Sequence, residues 1–108
     1  MKTRIAVALS LGLAASGPAA AALHVASDRT VGGFVHIESV SYDPHAKALY
    51  VSEFGTEKLA PDLKDGNGRI VKVSLDGKVI DKQFLPAKGG APMNKPKGGW
   101  VRGDSICF

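Results

Sequence analysis

The sequence predicts an all-β fold, a partial β-propeller made of one four-stranded antiparallel blade plus the first hairpin of a second, preceded by a signal peptide. Three observations predict it. After residue 22 the apolar residues recur with a period of two rather than 3.6, and turn residues punctuate them at short intervals. Four such strand patterns follow one another between Glu38 and Phe84. A repeat then begins: Glu38-Ser39-Val40-Ser41-Tyr42-Asp43, a turn and Ala48-Leu49-Tyr50-Val51-Ser52 are echoed by Lys97-Gly98-Gly99-Trp100-Val101, a turn and Ser105-Ile106-Cys107-Phe108. Self-similarity at roughly 50–60 residues marks a repeat architecture, and four-stranded units repeated around an axis are propeller blades. A sandwich or barrel of six or seven strands is the alternative; it accounts for the strand count but not for the repeat. The second copy stops at the last residue, so the chain is expected to be the N-terminal part of a larger fold.

Residues 1–22 are set apart as a signal peptide. Lys2 and Arg4 precede the apolar run Ile5 to Leu13, and small residues ending in Ala20-Ala21-Ala22 supply an A-x-A-like cleavage site. The run is too short to span roughly 30 Å of hydrocarbon, and no second run of about 20 apolar residues follows. A periplasmic or secreted protein without a membrane span is expected. Residues 23–37 form a lead-in segment, and the partial propeller occupies 38–108, with the first blade over 38–84, a loop over 85–98 and the start of the second blade over 99–108.

Removing the leader takes Lys2 and Arg4 from the formal net charge of +4 and leaves +2 on the mature part. The remaining basic residues alternate with acidic ones. The densest group, Lys88, Lys95, Lys97 and Arg102, lies on a Gly- and Pro-rich stretch with Trp100 as its single aromatic. A nucleic-acid footprint needs a concentrated basic face with interleaved aromatics, so no nucleic-acid partner is expected.

Strands are predicted over Glu38 to Tyr42, Ala48 to Phe54, Arg69 to Ser74, Val79 to Phe84, Gly99 to Arg102 and Ser105 to Phe108. The link Asp43-Pro44-His45-Ala46-Lys47 is a turn with a side-chain-capping Asp and a Pro presetting φ. Asp76-Gly77 is a two-residue hairpin signal, and Gly103-Asp104 plays the same part in the second copy. Cys107, the single cysteine, cannot form an intrachain bridge; alternating with Ile106 and Phe108, it reads as a buried structural thiol. Tyr42, Tyr50, Phe54, Trp100 and Phe108 read as blade-packing aromatics.

The chemistry-bearing motifs are sparse. Asp62 to Ile70 looks like a calcium loop with Gly68 at its sixth position, but the first position is then Leu63 and the twelfth Ser74, so both acidic ends are missing. A Gly-rich turn feeding the Arg69 strand is the better reading. His24, His36 and His45 have no zinc-ligand spacing, and neither a G-x-S-x-G elbow nor a phosphate loop occurs.

One resemblance does carry chemistry. Glu38 to Pro44 with Leu49 to Gly55, Asp65-Gly66-Asn67-Gly68-Arg69-Ile70, Val73 to Val79 and Asn94-Lys95-Pro96-Lys97-Gly98 resemble exported propellers of the gluconolactonase and senescence-marker-protein (regucalcin-like) group, over about residues 34–108. The resemblance implies a six-bladed propeller with a divalent cation, Ca²⁺ or Zn²⁺, in its central channel. It also implies a glutamate ligand opening the innermost strand of the first blade, and Glu38 matches that place. A hard cation takes oxygen ligands, polarises a lactone carbonyl and activates water. The family's Asn and Asp ligands come from later blades, and its glutamate is usually followed by Gly-Pro and an aromatic where this chain has Ser39-Val40-Ser41-Tyr42.

Glu38 is therefore the one candidate metal ligand, with no catalytic or cofactor-binding residue assigned. The expected activity, metal-dependent hydrolysis of a small-molecule lactone or ester, belongs to a longer relative; the chain alone is expected to bind no cation and to be inactive. Non-catalytic propellers with NHL-type repeats share the strand-turn grammar, so a fragment of a binding propeller is the second class. Self-association through the strand Ser105 to Phe108 is expected of the isolated chain.

Overall fold

The computed structural model describes residues 22–108, and all of the expected signal peptide except Ala22 lies outside them. Six strands follow in order: β1 (Ile37–Asp43), β2 (Ala48–Glu53), β3 (Arg69–Ser74), β4 (Val79–Leu85), β5 (Trp100–Arg102) and β6 (Ser105–Cys107). Among the described residues there is no helix. The first four strands make one antiparallel sheet in the order β1-β2-β3-β4, and β5 and β6 make a separate two-stranded sheet.

The turns follow from local chemistry. Asp43 Oδ1 accepts from the amides of His45 and Ala46 at 2.9 and 3.0 Å, the side-chain cap expected of that link. The β3–β4 connection differs from the two-residue hairpin expected. Ser74 N donates to Lys78 O at 2.8 Å and Gly77 N to Ser74 O at 3.0 Å, so the loop is Leu75 to Gly77, with Gly77 at φ 85°. A three-residue loop of this kind is a turn followed by a left-handed residue, which glycine supplies without steric cost. In β5–β6 the loop does have two residues, with Gly103 at φ 61° and Arg102 facing Ser105.

Alternation along β2 and β3 gives the sheet two faces. One carries Leu49, Val51, Val71 and Val73, and the lead-in segment lies over it: Val31 and Phe34 pack on the buried valines. The lead-in is tied down by Gly55 N donating to Val35 O at 3.1 Å and Phe54 N to His36 O at 3.0 Å. Residues 29–36 thus act as a cover for the core rather than a passive leader, and each valine so buried contributes about 1.5–3 kcal/mol. The other face buries Ala48, Tyr50, Ser52 and Ile70. There Tyr50 and Phe84 pack with ring centroids 4.9 Å apart, and the Lys72 ammonium sits 5.8 and 5.5 Å from the two centroids.

β4 is an edge strand, mostly exposed, and its register with β3 is interrupted twice. Irregular register and the charges of Asp81 and Lys82 blunt such an edge against further pairing. Cys107 is exposed, contrary to the buried thiol expected. With two strands only, the β5–β6 sheet has too few neighbours to cover both of its faces, and Trp100 likewise stays 60% exposed.

Candidate functional site

The candidate metal ligand Glu38 sits at a break in the β1–β2 ladder. Ile37 faces Glu53 and Ser39 faces Ser52, so Glu38 is the extra residue of a β-bulge. The bulge has a local cause. The buried Ser52 hydroxyl accepts from Ser39 N at 3.0 Å and lies 2.7 Å from the Ser39 hydroxyl, substituting for the ladder bond that the extra residue displaces. Bulges re-aim side chains, and Glu38 is aimed at the loop before β5: its exposed carboxylate accepts from Gly98 N at 2.5 Å. Among the described residues no group of three or more His, Cys, Asp or Glu side chains is placed to hold a metal ion.

Two ion pairs that sequence reasoning did not single out lie at the same end of the sheet, where β1 begins and β2 ends. Glu53 is completely buried and pairs with Arg69 Nε, directly across from it in the β2–β3 register. Its second oxygen accepts from Val35 N at 2.8 Å, so one buried carboxylate clamps the lead-in segment onto the sheet. Buried carboxylates are retained when both oxygens have such partners.

The second pair joins loops far apart in sequence. Lys95, whose side chain is 3% exposed, donates to Asp65 at 2.8 Å, to Phe54 O at 3.0 Å and to Thr56 Oγ1 at 3.2 Å. The Lys95 ammonium, followed by the Asn67 N–H, holds the Asp65 carboxyl below its ordinary value of 3.8. Around it, Gly66 N donates to Asn94 Oδ1 and Gly68 N to Met93 O, so the Gly-rich turn and the loop before β5 are laced together. The Asp65–Gly68 segment is thus a turn feeding β3, and Asn67 N donating to Asp65 Oδ1 at 3.0 Å is its internal cap. Lys95 is removed from the exposed basic group to which it belongs in sequence; Lys88, Lys97 and Arg102 remain exposed.

His36 is half-buried, at φ 51°, with Nδ1 2.6 Å from Thr56 O, while His24 and His45 are exposed. No helix among the described residues is long and apolar enough to cross a membrane. Comparison with protein-family models, curated proteins and solved structures gives no match. The charged end of the sheet therefore carries one carboxylate held by a single backbone amide, Glu38, and two carboxylates already paired with cations, Glu53 with Arg69 and Asp65 with Lys95. Of the three, Glu38 is the one whose charge is not already met by a cation among the described residues.

Proposed function

We propose that this chain contributes one blade and the first hairpin of the next to an exported β-propeller resembling metal-dependent sugar-lactone hydrolases, with Glu38 as one oxygen ligand of a divalent cation. The observation that carries the proposal is the placement of β5. This strand, the sequence echo of β1, packs against β1 and against no other strand of the first sheet. In a propeller the innermost strands of successive blades are neighbours around the central channel, so the arrangement supports β1 and β5 as equivalent innermost strands.

Glu38 then lies beside that channel, at the start of the innermost strand. Ca²⁺ takes six to eight oxygens, so a working site needs ligands from further blades, and this chain alone is proposed to be inactive. In the assembled site the Glu38 carboxylate would hold the cation, and the cation would supply Lewis acidity toward a lactone carbonyl and toward water.

A specific observation favours a second reading. Glu38 accepts from Gly98 N, which fastens the β5 loop to the first sheet; a blade using the carboxylate in this way serves a non-catalytic, NHL-like binding propeller equally well. Ca²⁺ and Zn²⁺ titration together with sugar-lactone hydrolysis, in a protein joining this unit to further blades, separates the two. Hydrolysis abolished by Glu38→Gln with folding intact supports the hydrolase; no cation binding and no hydrolysis in the joined, folded protein supports the binding propeller, and hydrolysis indifferent to that substitution removes Glu38 from the mechanism.

A further inference from the structure

On the sheet face covered by the lead-in segment, two strands away from Glu38, the structure contains a cleft of about 320 Å³. Its lining is mixed, and the apolar part is Phe34 from the lead-in, Val71 from β3 and Val79 from β4. Its polar lining is of one sign, with Arg69 and Lys82 contributing cations and no carboxylate among the lining residues. Gly32 and Gly33 complete the rim, and a Cβ built on either would meet no atom within 4 Å, so the entrance is open on that side.

Arg69 is suited to more than its ion pair. Its guanidinium carries five N–H donors; Nε is directed to Glu53, and the side chain is 35% exposed. The pairing fixes the guanidinium plane and leaves further donors for a second anion. Lys82, on the exposed edge strand, adds a second cation to the lining, one that makes no ion pair among the described residues. Small-molecule sites are mostly apolar clefts of roughly 300–1,000 Å³ with a few placed polar groups, which puts this one at the size of a small ligand.

We infer that the cleft binds a small monocarboxylate with an apolar tail, the carboxylate between Arg69 and Lys82 and the tail against Phe34, Val71 and Val79. The site is independent of Glu38 and of any metal. Arg69 orients the carboxylate through charge-assisted hydrogen bonds, and Lys82 supplies attraction without fixed geometry.

The test is an amide-resolved NMR titration of the chain with 3-phenylpropionate, and with its neutral isostere 3-phenylpropionamide. Saturable shifts are expected at the amides of Gly32, Gly33 and Phe34, with the neutral compound about tenfold weaker. Lys82→Gln is chosen because Lys82 is exposed and outside the core; it should weaken carboxylate binding about fivefold, and Lys82→Arg should retain it. Equal affinity for acid and amide overturns the proposal. So does an unchanged affinity in Lys82→Gln, or shifts that fall away from the Gly32–Phe34 segment.

Discussion

Replacing Arg69 by Met should destabilise the fold by about 2–4 kcal/mol. Glu53 is fully buried, and its carboxylate has two partners, Arg69 Nε and Val35 N. Removing the cation leaves a buried anion with one neutral donor, and breaking a buried pair in this way costs about 3–5 kcal/mol. Because the Arg69 side chain is 35% exposed, water can reach the vacated site and lowers the figure to about 2–4 kcal/mol. At roughly 4–8 °C per kcal/mol, the unfolding midpoint should fall by roughly 8–30 °C. Far-UV circular dichroism at one fixed protein concentration gives the midpoint, and hydrogen exchange gives the location. The Val35 amide, held by Glu53 at 2.8 Å, should lose protection along with the lead-in segment it anchors. The double variant Glu53→Leu with Arg69→Met should recover most of the loss, since it leaves no buried charge. A loss below about 1 kcal/mol in Arg69→Met, or a double variant no better than the single one, would refute the clamp.

Three further substitutions probe the same architecture. Ser41 has a buried hydroxyl with no hydrogen-bond partner among the described residues, so Ser41→Ala should raise stability by about 1 kcal/mol in urea denaturation; a loss would show that the hydroxyl is satisfied. Asp65 is held below its ordinary value of 3.8 chiefly by the Lys95 ammonium, so the clasp between the Gly-rich turn and the β5 loop is complete above that value. It is lost as pH falls through the lower folded value. Amide exchange at Gly66 and Gly68 should therefore rise in acid once corrected for intrinsic rates, and Asp65→Asn should remove that pH dependence; an identical acid response in the variant would exclude the carboxylate. Gly55→Ala places a Cβ 1.9 Å from Asn67 O at a residue with φ 70°, and should cost more than about 1–2 kcal/mol by thermal unfolding. A neutral effect would mean that the Gly55 backbone is free to change.

Most of the strand plan was legible in the sequence. Each strand is a short period-two run between turn residues, and all six predicted segments agree with the structure to within one residue at each end. The Asp76-Gly77 loop came out one residue longer because Ser74 closes with Lys78 and leaves Leu75 in the loop. Cys107 was misplaced because alternation marks which side chains share a face, not whether anything covers that face. The β-bulge at Glu38 left no trace in periodicity, since it depends on a hydroxyl from the neighbouring strand.

The site was less readable. Glu53 and Arg69 close facing ends of two predicted strands, so an opposite-charge pair could have been found by pairing those strands before searching for chemistry. Lys95 and Asp65 gave no such signal. They are 30 residues apart on irregular loops, and the burial of Lys95 is created by Phe54 and Thr56 from a third segment.

The most direct test of the proposed role of Glu38 is the Gly98 amide resonance during Ca²⁺ titration of a protein joining this unit to further blades, since the ion takes six to eight oxygens and one carboxylate does not hold it. If the carboxylate that accepts from Gly98 N is also the cation ligand, that resonance should move saturably with Ca²⁺, and Glu38→Gln should abolish the movement. A Gly98 resonance that stays fixed, or moves equally in the variant, would contradict the assignment of Glu38 to a metal site.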